Sequence, residues 1–206
     1  MIKEKLPAWG KISGGIGLLF SRLPFRPNFY TWLTLLIAGL GLVAIMWQHP
    51  LWGLWLFIIA GLFDIVDGGL ARHLGQTSPR GAFLDGSLDR FVDFGVIFSY
   101  FWLPITVPVL TLGQWVSIAI FVAIIPSFEV AYANHRKAVD DPHEVKIWRI
   151  LNRGEMYPLM LSVILASYYS PVLAGYFLLI WVFLALVTTI QTLYIALRLA
   201  TEENRA

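Results

Sequence analysis

Residues 64–93 read DIVDGGLARHLGQTSPRGAFLDGSLDRFVD, an acidic stretch in a chain that is largely apolar. Five aspartates occur within it, although apolar runs long enough to cross a bilayer lie on both sides. An ionised carboxylate is costly in hydrocarbon, so acidic residues inside a membrane segment point to a functional site. The stretch therefore predicts two membrane helices that carry a polar site between them.

The composition of the 206-residue chain is that of an integral membrane protein. Hydrophobic residues make up 58% and charged residues 14%, whereas soluble domains are roughly half apolar and a quarter charged. Helices satisfy their own backbone in lipid, and no alternating strand pattern occurs, so we predict an all-α integral membrane protein. Cysteine is absent, which excludes disulfides and thiolate sites. The net charge of +2 is too small to suggest a nucleic-acid partner.

Six transmembrane helices are predicted from the apolar runs. Their expected bounds are Tyr30–Trp47, Leu51–Leu74, Gly81–Leu103, Leu110–Asn134, Gly154–Tyr169 and Pro171–Leu199. Basic and apolar residues are mixed over 1–29, which is typical of an amphipathic helix that lies in the membrane interface. We therefore expect a single membrane domain over 1–206, with this N-terminal segment preceding a six-helix bundle over 30–199.

The basic residues predict the orientation of the chain. With a cytoplasmic N-terminus, the outer loops fall near 48–50, 104–109 and 169–171 and contain no Lys or Arg, so all 15 basic residues lie inside. Both termini are then cytoplasmic, and we expect a multi-pass protein of the plasma membrane. The aspartates fall in the cytoplasmic halves of the second and third spans, where a water-soluble substrate can reach them.

The aspartates have helical spacing on these two spans. Asp64 and Asp67 are three residues apart, and Asp85, Asp89 and Asp93 follow at intervals of four, so each set projects from one helix face. A short turn makes the two helices antiparallel neighbours whose acidic faces can meet. Carboxylates this close need counter-charge, which Mg²⁺ or Mn²⁺ would supply. Helix capping or pairing with nearby arginines would explain only one or two of them.

Small residues surround the carboxylates, and an arginine follows the first pair. The small residues are Gly68, Gly69, Ala71, Gly81, Ala82 and Gly86. Close packing of membrane helices would explain them, as would the approach of a ligand to the bare backbone. Arg72 could bind phosphate oxygens with its guanidinium. Together with metal ions, these residues indicate a ligand that contains pyrophosphate.

This pattern resembles the signature of the CDP-alcohol phosphotransferase (CDP-alcohol phosphatidyltransferase) family. Its eight positions are matched, with the family's spacing, by Asp64, Asp67, Gly68, Ala71, Arg72, Gly81, Asp85 and Asp89. A weaker resemblance is the segment Arg26-Pro27-Asn28 with Thr31, which is similar to the usual start of the family's first span. The chain length, the six spans and the interfacial N-terminal helix also agree, so the resemblance extends over the whole chain.

The resemblance implies a reaction in phospholipid biosynthesis and a role for each signature residue. A CDP-linked alcohol, commonly CDP-diacylglycerol or an ether-lipid equivalent, would transfer its phospho-alcohol group to the hydroxyl of a polar acceptor and release CMP. Two divalent cations, Mg²⁺ or Mn²⁺, would bind the pyrophosphate, and a homodimer would be expected. The implied metal ligands are Asp64, Asp67, Asp85 and Asp89. The implied CDP site is Gly68, Ala71, Arg72, Gly81 and Asp85. Asp89 would also be the general base, whereas Asp93 lies outside the signature.

Two residues are predicted for the acceptor site. Arg153, beside Glu155 at the start of the fifth span, resembles a basic segment of the family and would bind an acceptor phosphate. Anchoring of the cytoplasmic side of the span would equally explain an arginine there. Glu129 lies in an apolar run, where it would bind a hydroxyl-rich or amine-bearing head group or pair with a basic residue of its own chain. Val130 and Tyr132 occupy positions that tend to be basic in members with phosphorylated acceptors, so the sequence leaves the head group open.

Two other functions fit part of the pattern. Intramembrane prenyltransferases also bind pyrophosphate through aspartates and Mg²⁺, but their two motifs lie on widely separated helices and they need more spans. A divalent-cation carrier would use acidic residues, but it would need polar groups that continue towards the outer side. The carrier would also leave Arg72 and the glycines unexplained. Release of CMP distinguishes the transferase from the carrier.

Overall fold

The computed structural model describes residues 27–139, 147 and 149–203, and their regular structure is helical. The helices are α1 Pro27–Met46, α2 Pro50–His73, α3 Pro79–Phe98, α4 Leu112–His135, α5 Arg153–Tyr169 and α6 Pro171–Glu203, with a 3₁₀ helix at Ser99–Trp102. The described residues contain no β-strand. The predicted all-α class is therefore confirmed, with a helix at each of the six expected positions.

Four of these helices, α1, α2, α4 and α6, are long and apolar enough to cross a membrane. The other two helices do not meet both criteria. Helix α3 carries charged residues along its length, and α5 has only 17 residues. The protein is thus an integral membrane protein. The interfacial helix predicted over 1–29 lies outside the described residues, except that Pro27–Phe29 already belong to α1.

The chain divides into two compact units, Met1–Leu103 and Pro104–Ala206. In the first unit, α1 packs along both α2 and α3. In the second, α6 packs against both α4 and α5. All five aspartates of the opening stretch belong to the first unit.

Glycines allow α1 and α2 to approach each other closely. A Cβ atom at Gly53 would lie 2.8 Å from the carbonyl oxygen of Gly41, closer than side chains tolerate. Such contacts between small residues are a general means of packing membrane helices. Nearer the aspartates, Tyr30 of α1 packs against Val66 and Leu70 of α2. These contacts hold the end of α2 that carries the aspartates against the start of α1.

Helix caps define the starts of α4 and α5 in the second unit. The Thr111 N–H donates to Gln114 Oε1 at 2.9 Å, and the Gln114 N–H donates to Thr111 Oγ1 at 3.3 Å. This reciprocal pair satisfies two N–H groups that the helix leaves without partners. At the start of α5, the Asn152 N–H donates to Glu155 Oε2 at 2.8 Å. Glu155 therefore serves as part of a helix cap.

Candidate active site

Three aspartates from two helices bring their carboxylates together in the first unit. Asp64 and Asp67 lie on α2 and Asp85 lies on α3, and one oxygen from each lies within 4.8 Å of the other two. The short connection after His73 turns the chain back so that the acidic faces of α2 and α3 meet. Oxygens bound to one Mg²⁺ lie roughly 3–4 Å apart. Small side-chain rotations would therefore close this group around a cation.

Asp67 is the most buried of the three, with only 3% of its surface exposed. Within the described part of the chain, neither carboxylate oxygen has a hydrogen-bond partner of ordinary geometry. The Thr31 hydroxyl and the Gly68 amide are close enough to act on it electrostatically, but they fall short of such a bond. A buried carboxylate without strong partners is unfavourable, and neighbouring carboxylates add repulsion. This donor set fits a hard divalent cation.

A cavity of about 170 Å³ opens beside the carboxylates. It is lined by Asn28, Thr31, Asp67, Gly68, Ala71, Arg72, Gln76, Thr77, Ser78, Gly81, Ala82 and Asp85. All five residues that the sequence assigned to a CDP site are in this group. The structure thus gathers the predicted nucleotide-binding residues around one space, next to the three carboxylates.

The side chain of Arg72 lies back along α2, next to Gly68. A Cβ atom at Gly68 would lie 3.4 Å from Nη1 and 3.7 Å from Nη2 of Arg72. The guanidinium therefore rests against the bare backbone of the preceding turn while it lines the cavity. A guanidinium in this place can donate two parallel hydrogen bonds to a phosphate.

The first turn of α3 also contributes to the cavity wall. Ser78 is the N-cap residue, and its hydroxyl accepts a hydrogen bond from the Gly81 N–H at 3.0 Å. Pro79 follows at the first helical position, where its fixed φ favours helix formation. A Cβ atom at Gly81 would lie 3.1 Å from the Ser78 hydroxyl, so this turn is tight. The positive end of the helix dipole therefore lies at the cavity, where it favours an anion.

Asp89 lies one turn beyond Asp85 on α3. Within the described chain it belongs neither to the group of three carboxylates nor to the cavity lining. Its Oδ2 atom is 4.0 Å from Nη2 of Arg90, whose Nη1 atom is 3.3 Å from Oδ2 of Asp93. Arg90 is thus a shared counter-charge for the last two aspartates of the stretch.

The two residues predicted for the acceptor site lie in the second unit. Glu129 is partly buried on α4, and its Oε2 atom has no hydrogen-bond partner among the described residues. Arg153 opens α5, and its guanidinium lies over the ring of Tyr157, 5.8 Å from the ring centre. Glu155, next to Arg153, is engaged in capping α5. The acceptor roles of Glu129 and Arg153 stay predictions.

Five residues of the cavity wall were not assigned to the site from the sequence: Asn28, Thr31, Gln76, Thr77 and Ser78. The last three lie in the connection between α2 and α3. A signal for them was present, because a serine directly before Pro79 is a pattern that starts helices. This pattern predicts a tight polar turn between the two aspartate helices. Asp67 and Asp85 lie within two helical turns of this connection, so residues in it can reach their carboxylates.

The family model of the CDP-alcohol phosphatidyltransferases matches residues 25–201. An archaetidylinositol phosphate synthase of Aeropyrum pernix is 39% identical over 40% of this chain and 43% of its own length. A phosphatidylinositol phosphate synthase of Cutibacterium acnes is 34% identical over 47% of each chain. These two alignments span less than half of the relatives' length. An archaetidylinositol phosphate synthase of Pyrococcus horikoshii is 28% identical over 94% of this chain and 91% of its own.

Solved structures share the fold. A phosphatidylinositol phosphate synthase of Mycobacterium tuberculosis in complex with manganese and citrate has a TM-score of 0.73 and 20% identity, over 89% of this chain and 88% of the other. The same protein with CDP-DAG bound has a TM-score of 0.68 over 90% and 94% of the two chains. At this identity the likeness establishes the fold alone. The family match covers residues of both units and includes every signature position, and on that ground the chain belongs to the CDP-alcohol phosphatidyltransferase family.

Proposed function

We propose that this protein transfers a phospho-alcohol group from a CDP-linked lipid to the hydroxyl of a polar acceptor and releases CMP. The observation that carries this proposal is the group of Asp64, Asp67 and Asp85 beside a cavity lined by the signature glycines and Arg72. Two divalent cations, Mg²⁺ or Mn²⁺, would offset the charge of the carboxylates and of the pyrophosphate. Family membership makes a prenyltransferase or a cation carrier the poorer explanation of the same aspartates.

The donor's CDP group would occupy the cavity of the first unit. Arg72 and the N-terminus of α3 would bind pyrophosphate oxygens, because both present positive charge there. Gly68, Ala71 and Gly81 would let the nucleotide approach the backbone. Diacylglycerol or ether-linked chains would remain in the bilayer. CDP-DAG bound to the structurally similar M. tuberculosis protein supports a donor of this class.

In the proposed reaction, the acceptor oxygen attacks the phosphorus that bears the donor alcohol. The bond from this phosphorus to the bridging oxygen of the pyrophosphate breaks, and CMP leaves with that oxygen. Asp89 takes the proton of the attacking hydroxyl as general base. We also propose Asp89 as a fourth metal ligand, with Asp64, Asp67 and Asp85. It must be loosely bound in that role, because a cation lowers the basicity of a carboxylate that it holds tightly.

The names of the relatives suggest an inositol phosphate as acceptor. Arg153 would bind the phosphate of this acceptor, and Glu129 would accept hydrogen bonds from its hydroxyls. The Glu129 oxygen that has no partner among the described residues supports this role, because a buried carboxylate oxygen favours a donor. An acceptor without phosphate would need Glu129 but not Arg153.

We further propose that both units form one membrane domain over 1–206, with six spans over 30–199 and an interfacial helix over 1–29. Both termini would be cytoplasmic, and the active protein would be a homodimer in the plasma membrane.

The absence of cysteine makes the orientation testable. In cells, an impermeant maleimide should label Val109→Cys but reach Gln76→Cys only after permeabilisation. The reverse labelling would contradict this orientation, and chemical cross-linking in membranes tests the dimer.

The proposed activity is tested by CMP release from purified protein in lipid. CDP-diacylglycerol and its ether-linked equivalent are each supplied with Mg²⁺ or Mn²⁺ and one acceptor: inositol 1-phosphate, inositol, glycerol 3-phosphate or serine. Release driven by one acceptor and abolished by Asp89→Asn would establish the reaction. Binding of CDP without release would mean a different donor or acceptor. If the protein neither binds CDP nor releases CMP, the proposal is refuted.

A further inference from the structure

Asp93 is a buried charge that the proposed reaction does not use. It lies on α3, and only 3% of its surface is exposed. Its neighbours along the helix, Val92, Val96 and Ile97, are buried apolar residues. Its Oδ2 atom is 3.3 Å from Nη1 of Arg90, whose side chain is 24% exposed. An acidic side chain in these surroundings requires an explanation.

Stability alone does not explain the pair. A buried ion pair gains Coulomb energy but loses the hydration of both charges, so apolar residues of similar volume are often as stabilising or more so. An apolar residue at position 93 would match Val92 and Val96. The helix instead retains a carboxylate that holds one end of a guanidinium.

The other end of this guanidinium lies beside Asp89. Nη2 of Arg90 is 4.0 Å from Oδ2 of Asp89, while Nη1 contacts Asp93. The guanidinium is planar and rigid, so fixing one of its nitrogens also fixes the direction of the other. Asp93, Arg90 and Asp89 thus form a row of charges. The close ion pair joins Arg90 to Asp93, the most buried of the three, and a longer electrostatic contact, beyond hydrogen-bond distance, relates Arg90 to Asp89.

We propose that Arg90 and Asp93 are positioning residues for Asp89. Asp93 holds the Arg90 guanidinium, and the guanidinium holds the Asp89 carboxylate in the direction from which it takes the acceptor's proton. A general base must lie within hydrogen-bond reach of the proton it removes. A displacement of about 1 Å can lower a rate by roughly 100-fold. This inference rests on the proposed function, because it concerns the role of Asp89 in that reaction.

The test measures CMP release by full-length protein in lipid, with donor and acceptor varied separately. Arg90→Gln and Asp93→Asn should each lower kcat by roughly 10- to 100-fold, while both KM values change less than about threefold. Arg90→Lys should recover part of kcat, because the ammonium keeps the charge but not the fork. The double variant Arg90→Gln/Asp93→Asn should be no slower than the slower single variant, since residues of one chain of contacts are not additive. Arg198→Gln, an exposed arginine on α6, is the control.

The outcomes separate this inference from the proposed function. If the wild-type protein releases no CMP with any acceptor, the proposed function fails and the inference fails with it. If the wild-type protein is active and folded Arg90→Gln keeps its kcat, only the inference fails. Loss of kcat with a matching rise in both KM values, without recovery in Arg90→Lys, would indicate a merely structural pair and overturn it. If Arg90→Gln does not fold, Arg90→Lys and Asp93→Asn decide by the same criteria.

Discussion

Asp67 of α2 and Asp85 of α3 place carboxylate oxygens within 4.8 Å of each other, although the residues belong to different helices. Asp64 adds a third carboxylate, and Asp67 is almost completely buried. Like charges this close oppose each other more strongly in a buried site than in water. The metal-free protein therefore holds an unfavourable arrangement that a divalent cation would turn into a favourable one.

This relationship predicts that Asp67→Asn raises the thermal stability of the metal-free protein and reduces the stabilisation that a bound metal provides. Asparagine has nearly the same shape but removes one buried negative charge, so the metal-free variant should unfold at a higher temperature than the wild-type protein. Mn²⁺ at about 100 times its dissociation constant should stabilise the wild-type protein by about 2.7 kcal/mol and stabilise the variant far less. Thermal unfolding in detergent, with and without Mn²⁺, measures both effects. An equal gain from Mn²⁺ in both proteins would exclude Asp67 as a ligand.

Metal removal should abolish CMP release reversibly. EDTA should reduce the rate to background, because the pyrophosphate and the carboxylates would then face each other without counter-charge. Mg²⁺ or Mn²⁺ added in excess should restore it, since both accept carboxylate ligands in the required geometry. The check is a titration of each metal into the EDTA-treated protein. Release that persists at full rate in EDTA would show that the carboxylates serve another purpose.

A methyl group at Gly68 should weaken donor binding without disturbing the fold. The added Cβ atom would lie 3.4 Å from Nη1 of Arg72, which is an ordinary contact, but it would occupy the cavity wall. Gly68→Ala should therefore raise the KM for the donor by roughly 10-fold, in the range that one misplaced methylene causes. The measurement is CMP release against donor concentration.

Gly86→Ala is the matched control for this prediction. Gly86 is also a helical glycine near the aspartates, but among the described residues nothing lies within 4 Å of its added Cβ atom. Both variants should gain up to about 1 kcal/mol of stability, because alanine favours a helix over glycine. Only Gly68→Ala should change the KM. Equal KM values for the donor in the two variants would show that Gly68 does not contribute to the donor site.

The positions of the helices could be read from the sequence because proline and apolar length define them. Proline opens α1, α2, α3 and α6, and the expected starts of these helices differ from the observed ones by three residues at most. The end of the third helix was predicted wrongly. Its apolar run continues to Leu103, but α3 ends at Phe98 and the 3₁₀ helix follows. Hydropathy cannot distinguish these two helix types, because an apolar run gives the length of a span but not its hydrogen-bond pattern.

The site was predictable to the extent that it lies on regular helices. Helical spacing placed Asp64, Asp67 and Asp85 on facing surfaces, and the structure brings them together. The turn residues were not predictable in the same way, because the path of a loop depends on the two helices that it joins. The contact of Arg90 with Asp93 was also undetermined, since a long side chain three residues away has several possible partners.

Ser78→Ala should affect stability and donor binding together, because Ser78 both caps α3 and lines the cavity. Removing its hydroxyl leaves the Gly81 N–H without its acceptor and should lower the stability by about 1 kcal/mol. Thr111→Ala removes the equivalent cap of α4 in the other unit, so it should lower the stability by a similar amount. Only Ser78→Ala should raise the KM for the donor, since the first turn of α3 would no longer hold its N–H groups towards the pyrophosphate. Thermal unfolding and CMP release, measured on both variants, separate the two effects. A similar rise in KM in Thr111→Ala would mean that lost stability, and not the position of Ser78, weakens donor binding.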